Sequence, residues 1–502
     1  MTFRTLPDTD QLPHALYTAE QVRGFDRMAI ERFGIPGLTL MERAGQAAFD
    51  LIRHRWPDVR SLAVLTGTGN NGGDGFVVAR LARQAGLTVR VLQLGDRDRL
   101  RGDAAANAAR WRDEGGDWQP FEAIPADVDL IVDAMLGTGL ERPVGGQWAA
   151  AIKAANAHRA TCVAVDLPSG LNSDSGIMLG AAIQAAVTIS FIGLKPGLFM
   201  ADGPDCAGEI VFDGLNVPAA VYASSVPAAR RIDWRKQAAM LTPRRRNTHK
   251  GHFGHVLVIG GEHGLGGAAR LAAEAALRVG SGLVSLATRS RHVAPVLAAR
   301  PEIMAHAVED VAGLQPLLRQ ASVIAIGPGL GRGEWGRAMW AAALAAGRPL
   351  GVDADALHLL ASEPIQREGW VLTPHPGEAA ALLGLCSAEV NAQRIEAAQQ
   401  IQRRHGGSVV LKGVGSIVAS AGMSPPALCS EGNPGMASGG MGDVLTGVIA
   451  GLLAQGMALR DAAETAVCLH AAAGDVAAVA GGERGLLAGD LAAHLRALVN
   501  PR

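Results

Sequence analysis

The sequence predicts an α/β protein with two domains, each built on a mostly parallel sheet that helices cover on both faces. Short β-rich apolar runs alternate with amphipathic helical stretches in both halves of the chain. This rhythm lapses once, around residues 218–233, into Ala, Ser, Val, Pro and Arg. With 502 residues the chain is long enough for two domains of ordinary size. We therefore expect domains at residues 1–230 and 231–502.

The elements follow in order along each half. Predicted strands of the first half cover residues 61–66, 88–94, 129–133, 161–166 and 187–192, and predicted helices include 75–85 and 147–157. Predicted strands of the second half cover residues 255–260, 283–287, 323–326, 349–352, 370–372 and 409–411, and the chain ends in helices at 444–455, 459–479 and 489–498. Ligands of such sheets bind at the carboxyl ends of the strands. The loops that follow strands are therefore the candidate site loops.

Composition narrows the classes of partner. The formal net charge is -1 and the pI is about 6.9, which argues against nucleic acid. The five cysteines are odd in number and form no CxxC pair, which indicates a reducing compartment and no zinc site. Residues 1–8 lack an apolar signal core, and no run reaches the 18 apolar residues of a membrane helix. We expect a cytoplasmic homo-oligomer without a membrane partner.

A basic segment, residues 241–251, follows the predicted boundary and contains Arg244, Arg245 and Arg246. The cluster has the charge to bind an anion. It is equally typical of a solvated linker. The sequence leaves both interpretations open.

The loop after strand 61–66 reads GTGNNGGDG and formally satisfies GxGxxG, with Asp96 where a ribose-binding acid would lie. A dehydrogenase is therefore one hypothesis. However, Asn70, Asn71 and Asp74 fill the turn with amide and carboxylate oxygens, where a pyrophosphate needs bare N–H groups. Such a turn suits a hard cation and a polar ligand better.

Two further loops of the first half begin with an acid at the end of a strand. DAMLGTGLERP starts at Asp133, and DLPSGLNSD starts at Asp166. Each acid taken alone could be a loop or helix cap. Together with GTGNNGGDG, these loops make three consecutive loops of the kind that binds ligands in one sheet, which favours a functional site.

Residues 433–447, NPGMASGGMGDVLTG, join a glycine-rich turn to an apolar helical pattern. A helix N-terminus approached by glycines suits a phosphate, because free N–H groups and the positive end of the helix dipole meet there. Asp443 lies at the same point, where a carboxylate would repel an anion. It suits a base that acts on a hydroxyl, although a plain helix-terminal acid is the alternative.

The three loops of the first half, NNGGDG, DAMLGTGL and VAVDLPSGLNSDSG, resemble NAD(P)H-hydrate epimerase across roughly residues 15–215. The resemblance implies a Rossmann-like three-layer domain in which Asp166 faces the reacting ring. It implies a potassium ion on Asn71, Asp133 and Ser169. Trp148 either flanks the ligand or packs its helix. The implied substrate-binding residues are Asn70, Asn71, Gly72, Gly73, Asp74, Gly137, Thr138, Gly139, Leu140, Glu141, Arg142, Pro143 and Asp166.

Residues 245–500 resemble the ADP-dependent NAD(P)H-hydrate dehydratase, which has a ribokinase-like fold. The resemblance rests on KGHFGHVLVIGG, GGAARLAAEAALRVG, GPGLG, LTPHPGE, LKGVGS and residues 433–447. It implies a hydrate site lined by Ala268, Gly329, His375 and Asp443. It implies an ADP site formed by Lys412, Gly413, Val414, Gly415, Ser416 and Gly442. Met441 stands where the family usually has Thr, which removes a hydroxyl from the anion site.

The two resemblances together imply one chain that repairs hydrated NADH and NADPH (NADHX and NADPHX). The first domain would interconvert the R and S hydrates. The second would dehydrate the S hydrate with ADP, giving AMP and phosphate, with magnesium to neutralise charge. Glu378 is a candidate near the metal. The alternatives are a ribokinase-like small-molecule kinase with a non-catalytic ligand-binding first domain, and a dehydrogenase.

Overall fold

The computed structural model describes residues 12–500, so the leading segment 1–8 that was read for a signal lies outside the described residues. The chain forms two compact units that divide between Ala229 and Arg230. Each unit is a mostly parallel sheet with helices, which confirms the α/β class.

The first unit contains a seven-stranded sheet in the order β4-β3-β2-β5-β6-β7-β8, and all its neighbouring strands are parallel. The seven strands of this sheet are β2 Ser61–Thr66, β3 Thr88–Gln93, β4 Trp118–Pro120, β5 Leu130–Ala134, β6 Thr161–Val165, β7 Val187–Phe191 and β8 Glu209–Asp213. A further short strand of the first unit, β1 Ala15–Leu16, is not part of it. Its helices are α1 Ala19–Glu31, α2 Gly37–Arg55, α3 Asn70–Gln84, α4 Gly102–Asp113, α5 Gly146–Ala157 and α6 Gly203–Ala207. The order of the strands reverses between β2 and β5, which is where ligands bind in such sheets.

The first sheet is apolar on both faces. Along β2, Leu62 and Val64 belong to one buried cluster, whereas Ala63 and Leu65 belong to another. Successive side chains of a strand point to opposite faces, so a strand covered on both sides reads as a continuous apolar run. This is why the sequence identified β2, β5, β6 and β7 within one or two residues.

The second unit contains a larger sheet whose strands lie in the order β9-β18-β17-β16-β15-β14-β13-β10-β11-β12. Its strands are β9 Ala229–Ile232, β10 His255–Ile259, β11 Leu283–Thr288, β12 Met304–Ala307, β13 Val323–Ile326, β14 Leu350–Val352, β15 Trp370–Leu372, β16 Ser408–Leu411, β17 Ser416–Ser420 and β18 Ala427–Cys429. Its helices are α7 Trp234–Gln237, α8 Gly266–Arg278, α9 Ser290–Ala299, α10 Val311–Gln320, α11 Glu334–Ala345, α12 Ala354–Ser362, α13 Pro376–Leu383, α14 Ser387–Ala392, α15 Arg394–His405, α16 Met441–Ala454, α17 Leu459–Gly481 and α18 Leu491–Leu498. Strand β17 is antiparallel to both of its neighbours.

Helix α16 packs closely on α8 in the core of the second unit. A Cβ atom on Gly447 would lie 2.0 Å from the Ala272 carbonyl oxygen, so only glycine permits this approach. The apolar face predicted for this helix is buried, at Val444, Leu445, Val448, Ile449, Leu452 and Leu453. This packing fixes the N-terminal end of α16, where Asp443 lies.

Two sequence expectations need correction. Helix α3 begins at Asn70 and not at residue 75, so the NNGGDG segment forms its first turns. Glycine disfavours helix by about 1 kcal/mol relative to alanine, but tertiary contacts override this here. A Cβ on Gly72 would lie 2.1 Å from the Gly67 carbonyl oxygen. The sequence also failed to predict several strands that are short or lie towards a sheet edge, namely β1, β4, β8, β9, β12, β17 and β18.

Helix α17 was not singled out in the sequence as a membrane-length segment. By length and composition it is long and apolar enough to cross a membrane, with a mean hydropathy of 1.2. However, 78% of the tested window is buried inside the protein, and its residues belong to the core around α16. It occupies the position of a core helix.

Candidate functional site

A cavity of about 820 Å³ opens at the carboxyl edge of the first sheet. The predicted residues that line it are Asn70, Asn71, Asp74, Gly137, Thr138, Gly139, Leu140, Glu141, Arg142, Pro143 and Asp166, together with Trp148. Gly72 and Gly73 do not line it. They pack inward, since a Cβ on Gly73 would lie 2.4 Å from the Met41 sulfur. The structure thus brings the three predicted loops to one cavity.

Asp166 occupies an unusual position at the end of β6. Its φ is +65°, a left-handed conformation that is uncommon for a non-glycine residue and that occurs often at functional sites. Its Oδ1 atom accepts hydrogen bonds from Lys195 Nζ at 2.5 Å and from the Phe191 N–H at 3.2 Å. The carboxylate is therefore fixed at the cavity wall.

Lys195 is a functional candidate that the sequence analysis missed. Lys195 lies in an otherwise apolar stretch, FIGLKPGLFM, and its side chain has no exposed area. Besides Asp166, its Nζ donates to Ser190 Oγ and to the Phe191 carbonyl oxygen, both at 3.1 Å. A lone lysine in an apolar run is the signal that could have revealed it, because a buried lysine needs a charged partner.

Two more carboxyl groups lie near Asp166. Burial and the Asp166 charge raise the pKa of Asp26, in α1, to about 6. The same two causes raise the pKa of Asp74 well above its usual value. The sequence analysis did not consider α1, so Asp26 was missed. The cavity therefore combines a salt-bridged carboxylate with two carboxyl groups that hold protons more tightly.

The three residues predicted to hold potassium lie together beneath the cavity. Asp133 is fully buried and accepts hydrogen bonds from Ser169 Oγ at 2.5 Å and from the Ser169 N–H at 2.7 Å. Asn71 Nδ2 donates to the Leu136 carbonyl oxygen at 3.1 Å, and Ser169 Oγ accepts from the Leu136 N–H at 2.8 Å. Burial raises the pKa of Asp133 to about 6.

The donor set fits a hard monovalent cation. The Asn71 Oδ1 atom is buried and has no hydrogen-bond partner. A buried amide oxygen without a donor is costly, and a bound cation would satisfy it. The Asp133 carboxylate, the Leu136 carbonyl and the Ser169 hydroxyl belong to the same hydrogen-bonded group as Asn71, and oxygens of these kinds are the ligands that hard cations prefer.

In the second unit, the parallel strands β10, β13, β14, β15 and β16 all end at the same edge of the sheet, so the loops that follow them begin there. Lys412 Nζ donates to Asp353 Oδ1 at 2.6 Å and lies 3.9 Å from Glu378 Oε2. Thr446 Oγ1 donates to Asp353 Oδ2 at 2.8 Å. Lys412, which the resemblance assigns to the ADP site, thus pairs with Asp353, a residue that the sequence analysis did not single out.

The N-terminal end of α16 reaches this lysine–carboxylate group. A Cβ on Gly442 would lie 3.1 Å from Lys412 Nζ and 3.3 Å from Asp353 Oδ2. Gly440, before the helix, has a φ of +94°, which favours glycine. The glycines thus let the backbone approach the charged groups.

Asp443 lies one residue further along α16. Burial, followed by the Asp353 charge, raises its pKa to about 7, against an opposing effect of Lys412. A general base works best when its pKa lies near the working pH. The Asp443 carboxylate is therefore suited to accept a proton near neutral pH. An acid that only stabilises the start of a helix would not need a raised pKa.

His375 and Glu378 cap the start of α13 reciprocally. His375 Nδ1 accepts from the Gly377 N–H at 2.9 Å, and Glu378 Oε2 accepts from the His375 N–H at 2.7 Å. The His375 ring is mostly exposed, whereas the Glu378 carboxylate is buried, which raises its pKa. The histidine therefore has a structural role and still offers an open ring face.

The other predicted residues lie in two groups. Gly329, with a φ of +58°, packs beside Ala268, since a Cβ on it would lie 3.4 Å from the Ala268 Cβ. Arg394 holds the 412–416 loop in place, because its guanidinium donates to the Lys412 and Gly415 carbonyl oxygens. Burial lowers the pKa of Arg394 to about 10. Arg394 was missed by the sequence analysis.

The basic segment after the boundary lines a separate cavity of about 1300 Å³ in the second unit. Arg244 packs over the Phe253 ring at 3.6 Å and donates to the Gly280 carbonyl oxygen. Glu274 in the same cavity pairs with Arg278 and Arg300. The anion hypothesis for this segment stays a prediction.

These features define a two-unit α/β enzyme with a polar, acid-bearing site at the carboxyl edge of each sheet. A family model described as YjeF-related protein N-terminus matches residues 37–197, and one described as NAD(P)H-hydrate dehydratase matches residues 256–496. The chain is 46% identical to the bifunctional NAD(P)H-hydrate repair enzyme of Coxiella burnetii, over 97% of this chain and 99% of the relative. It is 44% identical to the enzyme of that description from Escherichia coli, over 98% and 95%.

A structural comparison supports the fold of the second unit. A ribokinase-like superfamily protein from Enterococcus faecalis superposes with a TM-score of 0.50 at 31% identity, covering 54% of this chain and 95% of that one. The chain therefore belongs to the family of bifunctional NAD(P)H-hydrate repair enzymes. The family predicted from the sequence is confirmed. The comparisons favour a bifunctional repair enzyme over the alternative of a small-molecule kinase with a non-catalytic first domain.

Proposed function

We propose that residues 231–502 dehydrate the S form of NADHX and NADPHX with ADP, and that residues 1–230 interconvert the R and S forms. The single observation that carries the proposal is Asp443, a carboxyl group whose pKa is raised to about 7 at the glycine-lined start of α16. The division of the chain between Ala229 and Arg230 supports the assignment of one activity to each unit. A cytoplasmic location and a homo-oligomeric state stay predictions.

In the dehydratase reaction, Asp443 takes the proton of the C6 hydroxyl as that oxygen attacks the terminal phosphorus of ADP. The bond between this phosphorus and the AMP oxygen breaks, so AMP leaves. Electrons pushed from the ring nitrogen then break the bond between C6 and the ester oxygen and release phosphate. The iminium ion that remains loses a proton from C5 to the released phosphate, which forms the C5=C6 double bond and restores the dihydropyridine. The N–H groups at the start of α16 stabilise the phosphoryl oxygens.

The nucleotide site is proposed at Lys412, Gly413, Val414, Gly415, Ser416 and Gly442, with the hydrate against Ala268, Gly329, His375 and Asp443. Lys412 brings a cation between Asp353 and the start of α16. The Asp353 and Glu378 carboxylates supply oxygens of the kind that magnesium prefers. Magnesium bound there with ADP would neutralise phosphate charge.

In the epimerase reaction, the ring nitrogen expels the C6 hydroxyl, and water returns to the other face of the ring. Asp166, held by Lys195, stabilises the cationic intermediate. Asp74 lines the same cavity and holds its proton tightly, so it suits the donor that turns the departing hydroxyl into water. The same group takes a proton back when water adds.

Potassium is proposed on Asn71, Asp133 and Ser169, supported by the unpartnered Asn71 oxygen. When bound, the ion supplies fixed positive charge beneath the cavity. The hydrated nucleotide itself is proposed to contact Asn70, Asn71 and Asp74 on α3, and Gly137, Thr138, Gly139, Leu140, Glu141, Arg142 and Pro143 on the next loop. Gly72 and Gly73 are proposed to allow the close packing of this helical turn rather than to contact the ligand.

Separated R and S hydrates of NADH test the proposal, with the absorbance of regained NADH as the readout. With ADP, both hydrates should be repaired, and the S form should be consumed first. Parallel reactions with ATP and with no nucleotide give the nucleotide dependence. Repair of S without any nucleotide would contradict the phosphoryl mechanism, and failure to convert R would remove the epimerase assignment.

A further inference from the structure

Two cysteines that are 39 positions apart in the sequence lie side by side in the second unit. Cys429 ends β18, and Cys468 lies in the middle of α17. Glu431 follows Cys429 by two residues. One potential ligand atom from each of the three residues lies within 4.8 Å of the other two. The Cys429 Sγ atom is 3.8 Å from Glu431 Oε2.

The cluster concentrates acidic groups in a buried place. Both thiols are buried, and the half-buried Glu431 carboxylate lies beside them. Burying several groups that each gain negative charge is costly unless a cation or a hydrogen-bond donor compensates them. A metal ion would compensate all three at once.

The ligand atoms are also held in place. Both oxygens of Glu431 accept from the Trp234 N–H, at 3.0 and 2.9 Å. The next residues are fixed as well, because Asp475 accepts from the Gly432 N–H at 3.0 Å and from Asn433 Nδ2 at 2.9 Å. The arrangement lies at the start of the glycine-rich segment 433–447, which leads to Asp443.

We propose that Cys429, Glu431 and Cys468 form a zinc-binding site that anchors the start of this segment. Two thiolates and one carboxylate are typical ligands of Zn²⁺, whereas Mg²⁺ and K⁺ prefer oxygen alone. A water molecule would complete four ligands. Zinc binding releases the two thiol protons, so the affinity rises with pH. No CxxC spacing is involved, which explains why the sequence predicted no zinc site.

The test uses the full-length protein, reduced and stripped of metal. Titration with Zn²⁺ should give one tightly bound ion per chain, and Co²⁺ in its place should produce thiolate charge-transfer absorption. X-ray absorption of the zinc form should show sulfur ligands at about 2.3 Å. Absence of bound zinc, a shell of oxygen and nitrogen only, or a disulfide between the two cysteines would each overturn the proposal.

Variants locate the ion. Cys429→Ser and Cys468→Ser should lose the ion. Glu431→Gln should weaken Zn²⁺ binding by at least about tenfold, because replacing even a residue that only supports a metal ligand typically costs that much affinity. Cys162→Ser, buried in the first unit, and Cys386→Ser, which is exposed, are the controls and should keep one ion per chain. Retained binding in Cys468→Ser overturns the site. The spectra of the unmodified protein decide the matter even if a serine variant fails to fold.

Discussion

Each unit places a lysine with little or no exposed side chain beside an aspartate at its candidate site, but the two pairs are connected differently. In the first unit Lys195 Nζ contacts Asp166, the proposed catalytic carboxylate, at 2.5 Å. In the second unit Lys412 Nζ contacts Asp353 at 2.6 Å. The proposed catalytic carboxylate there, Asp443, is a separate group.

The difference matches the chemistry proposed for each site. An epimerase that passes through a cationic ring needs a fixed negative charge, and a salt-bridged aspartate provides one. A phosphoryl transfer from ADP needs a group that accepts a proton near neutral pH. Asp353 engages Lys412 and its own charge helps raise the pKa of Asp443 to about 7. The same pair of residue types thus fixes a charge in one unit and tunes a base in the other.

Replacing the tuned base should have the largest effect. Asp443→Asn removes the proton acceptor but keeps the shape, so ADP-dependent dehydration should fall by about 10²–10⁴-fold. Binding of ADP should largely persist, and conversion of R to S hydrate should be unchanged, because that site lies in the first unit. Near-normal turnover of the S hydrate would remove Asp443 from the catalytic role.

Lys195→Met tests the fixed charge in the first unit. It leaves Asp166 without its cation, so epimerisation should drop. Breaking a buried ion pair typically lowers the free energy of unfolding by about 3–5 kcal/mol. We expect a loss near the lower of these values, because Asp166 is partly exposed. Dehydration of supplied S hydrate should continue. Ser190→Ala removes only one hydrogen bond to Lys195 and should cost about 1 kcal/mol. Equal losses in both variants would show that the ion pair is unimportant.

The sequence predicted the framework of this comparison but not its contacts. Buried strands such as β2 and β6 read clearly as apolar runs, and Asp166 and Asp443 follow strand or glycine signals. Lys195 and Asp353 were not singled out, although Asp353 directly follows the predicted strand 349–352, because their roles depend on partners 29 and 59 residues away. The start of α3 was also misplaced, since the close approach of Gly72 to Gly67 is a tertiary contact. Local pattern locates the loops, whereas burial and pairing decide what each group does.

Asn71→Ala tests whether the first site depends on a cation below the cavity. It removes the unpartnered Oδ1 atom, so epimerisation in potassium should fall by about 10–100-fold, and the difference between potassium and sodium buffers should shrink. Asn156→Ala is the control, because that amide bonds only the Ala182 and Gln184 backbone. A potassium dependence that survives in Asn71→Ala would place the ion elsewhere.

The pH profile tests the tuned base more finely. Asp443 acts in its ionised form, so kcat/KM for dehydration should rise with pH and level off above about 7, falling roughly tenfold per pH unit below it. Asp353→Asn removes a negative neighbour, so the midpoint should move to lower pH. A midpoint that stays at about 7 would show that burial alone sets the pKa. Epimerisation, which uses Asp166, should not follow this profile.

The smallest effect is expected at Met441, the position at which the sequence resemblance led us to expect Thr. The Met441 side chain is 6% exposed and belongs to the apolar core of the second unit, although the residue begins α16 beside the proposed nucleotide site. Its contribution to a phosphate should therefore come from the backbone N–H, which any residue supplies. Met441→Thr should change KM for ADP and for ATP by less than about threefold, well under the 1.4 kcal/mol of a tenfold change. It should lower the free energy of unfolding by about 1 kcal/mol, because a hydroxyl enters an apolar contact. A larger change in nucleotide preference would show that the side chain at this position reaches the phosphates.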